Sequence, residues 1–212
     1  MDELSKRVEY GSLSLARADL QPDPIEQLKN WWSDARKAQI PDLDAINLST
    51  VDTNNRPDAR MVLLKYISHE GLEFFTNYKS AKARQLENNP YAAMTLYWSK
   101  LERQVRIRGL VSKSSRARSQ DYFMKRPRGA QISAWVSQQS SVVSSREELD
   151  KSFKQIESRF LNQEIICPEH WGGYLLCPDY FEFWQGRSNR LHDRFSYQRG
   201  NDNQWNIERL AP

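Results

Sequence analysis

Between residues 45 and 111 the sequence sets out five short runs rich in β-branched and aromatic residues: 45–51, 59–68, 71–76, 92–98 and 104–111. Turn residues such as Asn54-Asn55 and His69-Glu70-Gly71 separate them. Connections this short favour antiparallel pairing, because a parallel crossover needs a dozen or more residues. The last third returns to the same signal at 173–176, 180–184, 195–199 and 205–210. A chain so dominated by short strands must manage its sheet edges, and closure into a small barrel with helices packed outside is the economical solution. The expected fold class is mainly β with flanking helices.

The helices announce themselves by caps. Asp23-Pro24-Ile25-Glu26 supplies an N-cap, a first-turn proline and a capping-box glutamate, followed by Ile25, Leu28, Trp32 and Ala35 at helical spacing. Residues 80–87 and 114–125 read as brief helices. Ser145-Arg146-Glu147-Glu148 opens another, whose Leu149, Phe153, Ile156 and Phe160 form one stripe expected in the core. Residues 1–22 are polar and without period, an arm expected to be mobile or laid on a surface, and 23–212 read as one domain without repeats.

The chain has 212 residues, enough for one full core. Its 31 Lys+Arg against 27 Asp+Glu give +4, a mild excess that suits phosphorylated small molecules and does not demand nucleic acid. Cys167 and Cys177 lie in no metal-ligand spacing and His69, His170 and His192 are far apart, so neither disulfides nor a metal is expected. No apolar run approaches a membrane span and the first residues lack a signal-peptide core, so a reduced, cytoplasmic setting is expected.

Four segments concentrate groups able to bind anions and flat rings. Trp184 to Arg194 places Arg187, Arg190, Arg194 and His192 after the strand signal Tyr180–Phe183, although a solvated basic turn would have the same composition. In Arg60-Met61-Val62-Leu63-Leu64-Lys65 the terminal cations fall on opposite strand faces; both could simply reach solvent, and a shared ligand would need a bulge, a twist or a second subunit. Phe75 to Lys82 runs from strand through turn into a helix capped by Ser80, where free N–H groups, Thr76 and Lys82 match a phosphate monoester. Gln104, Arg106 and Arg108 share one strand face; Tyr122, Arg126, Gln139 and Ser140 add further donors. There is no P-loop, GxGxxG, GxSxG or His-Glu-x-x-His, and no activated nucleophile, so difficult chemistry would come from a bound cofactor.

Together these segments, from Arg7-Val8-Glu9-Tyr10 to Arg209-Leu210-Ala211-Pro212, resemble the pyridoxamine 5'-phosphate oxidase family. The resemblance implies an FMN-binding split β-barrel, a homodimer with two flavin sites at its interface. Oxidation of pyridoxamine and pyridoxine 5'-phosphate to pyridoxal 5'-phosphate would reduce O2 to H2O2. It implies FMN contacts at Arg60, Met61, Val62, Leu63, Leu64, Lys65, Phe75, Thr76, Lys82, Gln104, Gln139, Ser140, Trp184 and Arg194. Substrate contacts would come from Arg7, Tyr10, Lys65, Tyr122, Arg126, Arg190, Leu191 and His192, with Arg190 and His192 in the catalytic role and Arg7 and Tyr10 in a lid. Two positions depart from the family: Ala81 stands where an arginine is frequent, with Arg84 a candidate substitute, and Ala130 where a serine is usual. Another split-barrel flavin oxidoreductase is a second reading; a nucleic-acid binder using the basic run 103–128 is a third.

Overall fold

The computed structural model describes residues 9–11 and 13–212. The helices are α1 (Pro24–Lys37), α2 (Ala81–Asn88), α3 (Arg116–Met124), α4 (Arg128–Val136) and α5 (Arg146–Arg159). The strands are β1 (Ala45–Val51), β2 (Pro57–Ser68), β3 (Gly71–Asn77), β4 (Tyr91–Trp98), β5 (Arg103–Lys113), β6 (Trp171–Gln185), β7 (Asp193–Arg199) and β8 (Trp205–Leu210). All pairings are antiparallel, in the order β3-β2-β1-β4-β5-β6-β7-β8, and a further β3–β6 pairing closes the first six into a barrel. The split comes from β6. Its first half seals the barrel against β3, with Leu72 opposite Leu176, while its second half carries β7, with Trp184 opposite Arg194.

The sequence pattern divides β6 into two strands at Pro178, yet one strand of 15 residues runs through. Proline has no N–H for the ladder and survives here at a register shift, where β5 steps between Arg108 and Gly109. Gly109 makes that crossing feasible: a Cβ there would stand 2.1 Å from the Cys177 carbonyl oxygen.

Alternation along the strands buries Ile46, Leu48, Phe74, Met94, Ile107, Phe181 and Phe183 in the barrel. Asp23 caps α1 by accepting from the Ile25 N–H at 2.7 Å. The buried stripe of α1 is rotated from the expected one: Trp31 is buried, edge-on to Phe183, whereas Trp32 is half-buried against Trp98. A second core under α3, α4 and α5 gathers Phe123, Ile132, Phe160, Ile165 and Trp171. Here the expectation for α5 fails in part, because Phe160 alone of its stripe is buried and Leu149, Phe153 and Ile156 stay half-exposed on the rim. Helix α4 gave no sequence signal: it starts after Pro127 without a side-chain cap and contains Gly129. The described part of the N-terminal arm lies on its own barrel, with Leu15 and Leu20 in the core. Arg7 lies outside the described residues.

Candidate active site

One cleft of about 610 Å³ opens between β2, the end of β3, α2 and the α3–α4 corner. Strand alternation sends Met61, Leu63 and Lys65 to its wall, with Val62 at its edge, while Leu64 turns into the core and its side chain leaves the cleft. Arg60 and Lys65 do diverge. Arg60 reaches Thr50 at 2.6 Å, Gln85 of α2 at 3.0 Å and Asp58 at 2.6 Å, whereas Lys65 pairs with Asp44 at 2.6 Å. A bulge does occur between Leu64 and Tyr66, but it does not bring the two cations together.

At the deep end, Ser80 caps α2 by accepting from the Ala83 N–H at 3.4 Å, and the Ala81 N–H donates to the Ser140 hydroxyl at 3.2 Å. Lys82 is buried, donates to Thr76 Oγ1 at 3.2 Å, and among the described residues has no carboxylate within ion-pair distance. Thr76 in turn donates to Gln139 Oε1 at 2.9 Å. Burial, reinforced by Arg60 and opposed by Asp58, holds the Lys82 ammonium below its ordinary pKa. A buried ammonium facing hydroxyls, an amide and a helix N-terminus is a seat for a phosphate, whose charge would relieve that desolvation. Arg84 is exposed and donates to the Lys79 carbonyl, so its guanidinium lies beside the cap and away from Lys82.

At the other end Phe75, Tyr122 and Trp171 stack, with Phe75 and Tyr122 centroids 4.0 Å apart, and Arg126 lies 4.5 Å over Trp171. Nη1 of Arg126 is buried without a hydrogen-bond partner. Burial, opposed by Tyr122 and Cys167, lowers the Arg126 pKa; burial raises that of Tyr122. An orphaned guanidinium N–H is costly unless something arrives to accept it. Lys65, Tyr122 and Arg126 thus bring donors able to take a second anion to the same cleft, with Ala130 beside them.

The remaining expected residues lie elsewhere. Gln104, Trp184 and Arg194 are register neighbours across β5, β6 and β7 and line no part of the cleft. The cross-sheet row Met61, Asn47, Thr95, Arg106 sets β5 three strand spacings from β2, roughly 14 Å along the outer face. Here the cations are paired. Arg194 donates to buried Glu182 at 2.9 Å and to the Ala211 carbonyl at 2.6 Å, and the hydrogen bond with Glu182 raises its pKa. Arg106 and Tyr180 also donate to Glu182.

His192 packs 4.6 Å from Trp184 and 5.7 Å from Tyr10. Its Nδ1 accepts the Arg187 N–H at 3.1 Å, so the neutral ring carries its hydrogen on Nε2. Burial, then Arg190 and Arg194, lower its pKa. Asn189 and Arg190 sit at φ 55° and 60°, consecutive left-handed residues costing on the order of 1 kcal/mol each. Arg190 and Leu191 are exposed. The sequence reading did not foresee Asp44, Gln85, Trp171 or Glu182, which position the expected residues; a buried acid inside an apolar strand, Glu182 between Phe181 and Phe183, was the one available signal.

Residues 33–160 match the sequence model described as Pyridoxamine 5'-phosphate oxidase, and residues 171–212 that of the Pyridoxine 5'-phosphate oxidase C-terminal dimerisation region. The chain belongs to the pyridoxamine 5'-phosphate oxidase family. Within the family it is 50% identical to the pyridoxine/pyridoxamine 5'-phosphate oxidase of Rippkaea orientalis, over all of both chains. It is 49% identical to that of Pseudomonas putida strain W619, over 97% of this chain and 96% of the relative. Its fold matches a crystal structure of PhzG from Burkholderia lata 383 in complex with tetrahydrophenazine-1-carboxylic acid, with TM-score 0.90 and 27% identity, over 95% and 99% of the two chains. The family's dimerisation region in this chain, 171–212, carries Trp184, Arg190, His192 and Arg194, all of which lie outside the cleft.

Proposed function

We propose that this protein is an FMN-dependent oxidase that converts pyridoxamine and pyridoxine 5'-phosphate to pyridoxal 5'-phosphate, and that it works as a homodimer. The observation carrying this reading is a cleft with two separate cations, buried Lys82 and half-buried Arg126 with its Nη1 sealed from solvent, neither of which has a carboxylate within ion-pair distance among the described residues. One phosphate on the flavin and one on the substrate answer both. The residues fit the flavin: the α2 N-terminus, Lys82 and Thr76 would hold its phosphate, backed by Arg60, with Gln139 and Ser140 closing over it. A second copy of the chain would bring Gln104, Trp184 and Arg194 across the outer face. Exposed Met61, Leu63 and Tyr97 supply apolar surface for that contact.

FMN held there would supply the two-electron acceptor for a hydride from the substrate C4' carbon, with dioxygen as the final oxidant. With the alcohol, substrate and O2 give aldehyde and H2O2; with the amine, water is consumed and ammonia leaves. The chain's residues orient. Lys65, Tyr122 and Arg126 grip the substrate phosphate, and neutral His192 offers an Nε2–H while Arg190 supplies a fixed charge beside it. Holding two rings at reacting distance lowers a barrier by several kcal/mol, up to roughly 7–11 in favourable cases, without a strong base. The basic run 103–128 is less suited to nucleic acid, since Arg103, Arg106, Lys113 and Arg118 are ion-paired to Asp34, Glu182, Glu87 and Glu73.

The test is the visible spectrum of the purified protein, followed by peroxide release with each phosphorylated vitamer. Flavin bands with peroxide from both esters support the reading. A yellow protein that oxidises only an unphosphorylated carboxylic acid, of the kind the Burkholderia lata neighbour holds, would replace it with a different split-barrel oxidase.

A further inference from the structure

Arg187 belongs to the basic loop but to neither anion seat, and its contacts face two ways. Its Nη1 donates to the carbonyl of Leu13 in the N-terminal arm at 3.1 Å. Its Nε lies 3.6 Å from Asp193 Oδ2, the same oxygen that accepts the arm's Leu15 N–H at 3.1 Å. From the other side of the same residue, the main-chain N–H holds His192 Nδ1. Asp193 is anchored from behind by Arg209 at 2.8 Å. Burial pushes the Asp193 carboxyl up, and the hydrogen bonds from Arg209 and the Leu15 N–H, with the nearby charges of Arg209 and Arg187, more than reverse this, so the carboxylate stays charged.

The arm then continues over the ring that this loop presents. Tyr10 packs edge-on to Trp184 at 5.7 Å and touches His192, and the Gly11 N–H donates to Glu102 at 3.0 Å. Gly186 permits that approach, since a Cβ there would lie 2.9 Å from Cγ of Tyr10. The loop between these anchors contains the two left-handed residues Asn189 and Arg190, a conformation that persists where neighbours over-determine it.

We propose that Arg187, with Asp193, is a positioning clamp that makes seating of the arm and alignment of His192 and Arg190 a single event. The guanidinium and carboxylate hold the Leu13 carbonyl and the Leu15 N–H of the arm, while the main chain of Arg187 fixes the His192 ring. Lifting the arm would free the loop, and a misaligned loop would lose the arm. This rests on the proposed function for what His192 and Arg190 act on, but the clamp itself is a property of this chain.

Arg187→Ala tests it in the full-length holoprotein, read by steady-state oxidation of pyridoxamine 5'-phosphate and by the rate of tryptic cleavage after exposed Arg17 in the arm. Losing hydrogen bonds from a charged group should raise KM about tenfold with kcat within about twofold, and speed cleavage about fivefold. Arg187→Lys should recover part of both, and Asp193→Asn should reproduce them from the other partner. Because the clamp acts through the arm, adding Arg187→Ala to Tyr10→Ala should cost little beyond Tyr10→Ala alone. Wild-type KM and cleavage rate in Arg187→Ala would overturn the proposal, as would effects that simply multiply with Tyr10→Ala. A wild-type protein that takes up no flavin would sink the proposed function instead, leaving the tryptic comparison, which needs no turnover, to judge the clamp.

Discussion

The cleft under β2 and the row across β5, β6 and β7 are both rich in cations, and, Lys65 with its partner Asp44 aside, they treat them in opposite ways. In the cleft Lys82 is buried with no carboxylate in ion-pair distance among the described residues, and Arg126 carries an orphaned N–H. In the row Arg106 and Arg194 share Glu182, and Arg187 and Arg209 share Asp193. Unpaired buried charge raises the energy of the empty cleft and is relieved by an anion; paired charge fixes geometry before any ligand arrives. The first arrangement suits binding and the second alignment.

Substitutions should therefore change binding and stability in opposite patterns. The largest effect is expected for Arg126→Ala, which should lower kcat/KM for phosphorylated substrates roughly a hundredfold while leaving flavin content and urea stability nearly unchanged. Lys82→Met should weaken flavin binding about tenfold or more, measured by fluorescence quenching, and leave the apoprotein as stable or slightly more so. In the row the sign reverses. Glu182→Gln leaves two guanidinium groups without their carboxylate and should cost about 2 kcal/mol in urea unfolding, with flavin binding weakened only modestly. If Lys82→Met destabilised the apoprotein as much as Glu182→Gln does, the contrast between the regions would collapse.

The smallest effect concerns pH. His192 is held below its ordinary value, so between its folded pKa and about 6.5 the unfolded chain binds more protons than the folded one. Stability should then fall as pH drops below that ordinary value and level off below the folded pKa. His192→Gln should flatten this part of the curve of unfolding free energy against pH. Protonation would also break the Arg187 N–H bond to Nδ1, so substrate affinity should decline over the same window.

Much of the cleft was legible because its signals are local. Ser80 caps a helix directly after a strand, and alternation alone places Met61, Leu63 and Lys65 on one face and Leu64 on the other. What escaped depends on partners distant in the chain. Asp44 is invisible as the mate of Lys65 without the fold, and α4 forms without a capping signal because its buried Ile132 and Ala134 pack on Phe123, Phe160 and Trp171. Pro178 misled for a related reason: a local strand-breaker is tolerated where β5 carries a register shift opposite it.

The central claim is that cleft and row from different copies make one site, and complementation tests it most directly. Arg126→Ala chains and His192→Ala chains, each strongly impaired alone, are refolded together in equal amounts and peroxide release is measured at substrate well below KM. If each site takes its cleft from one copy and its row from the other, half the dimers are mixed and each has one intact site, so about a quarter of wild-type activity should return. No recovery in confirmed mixed dimers would place both groups in the site of a single chain and contradict the account.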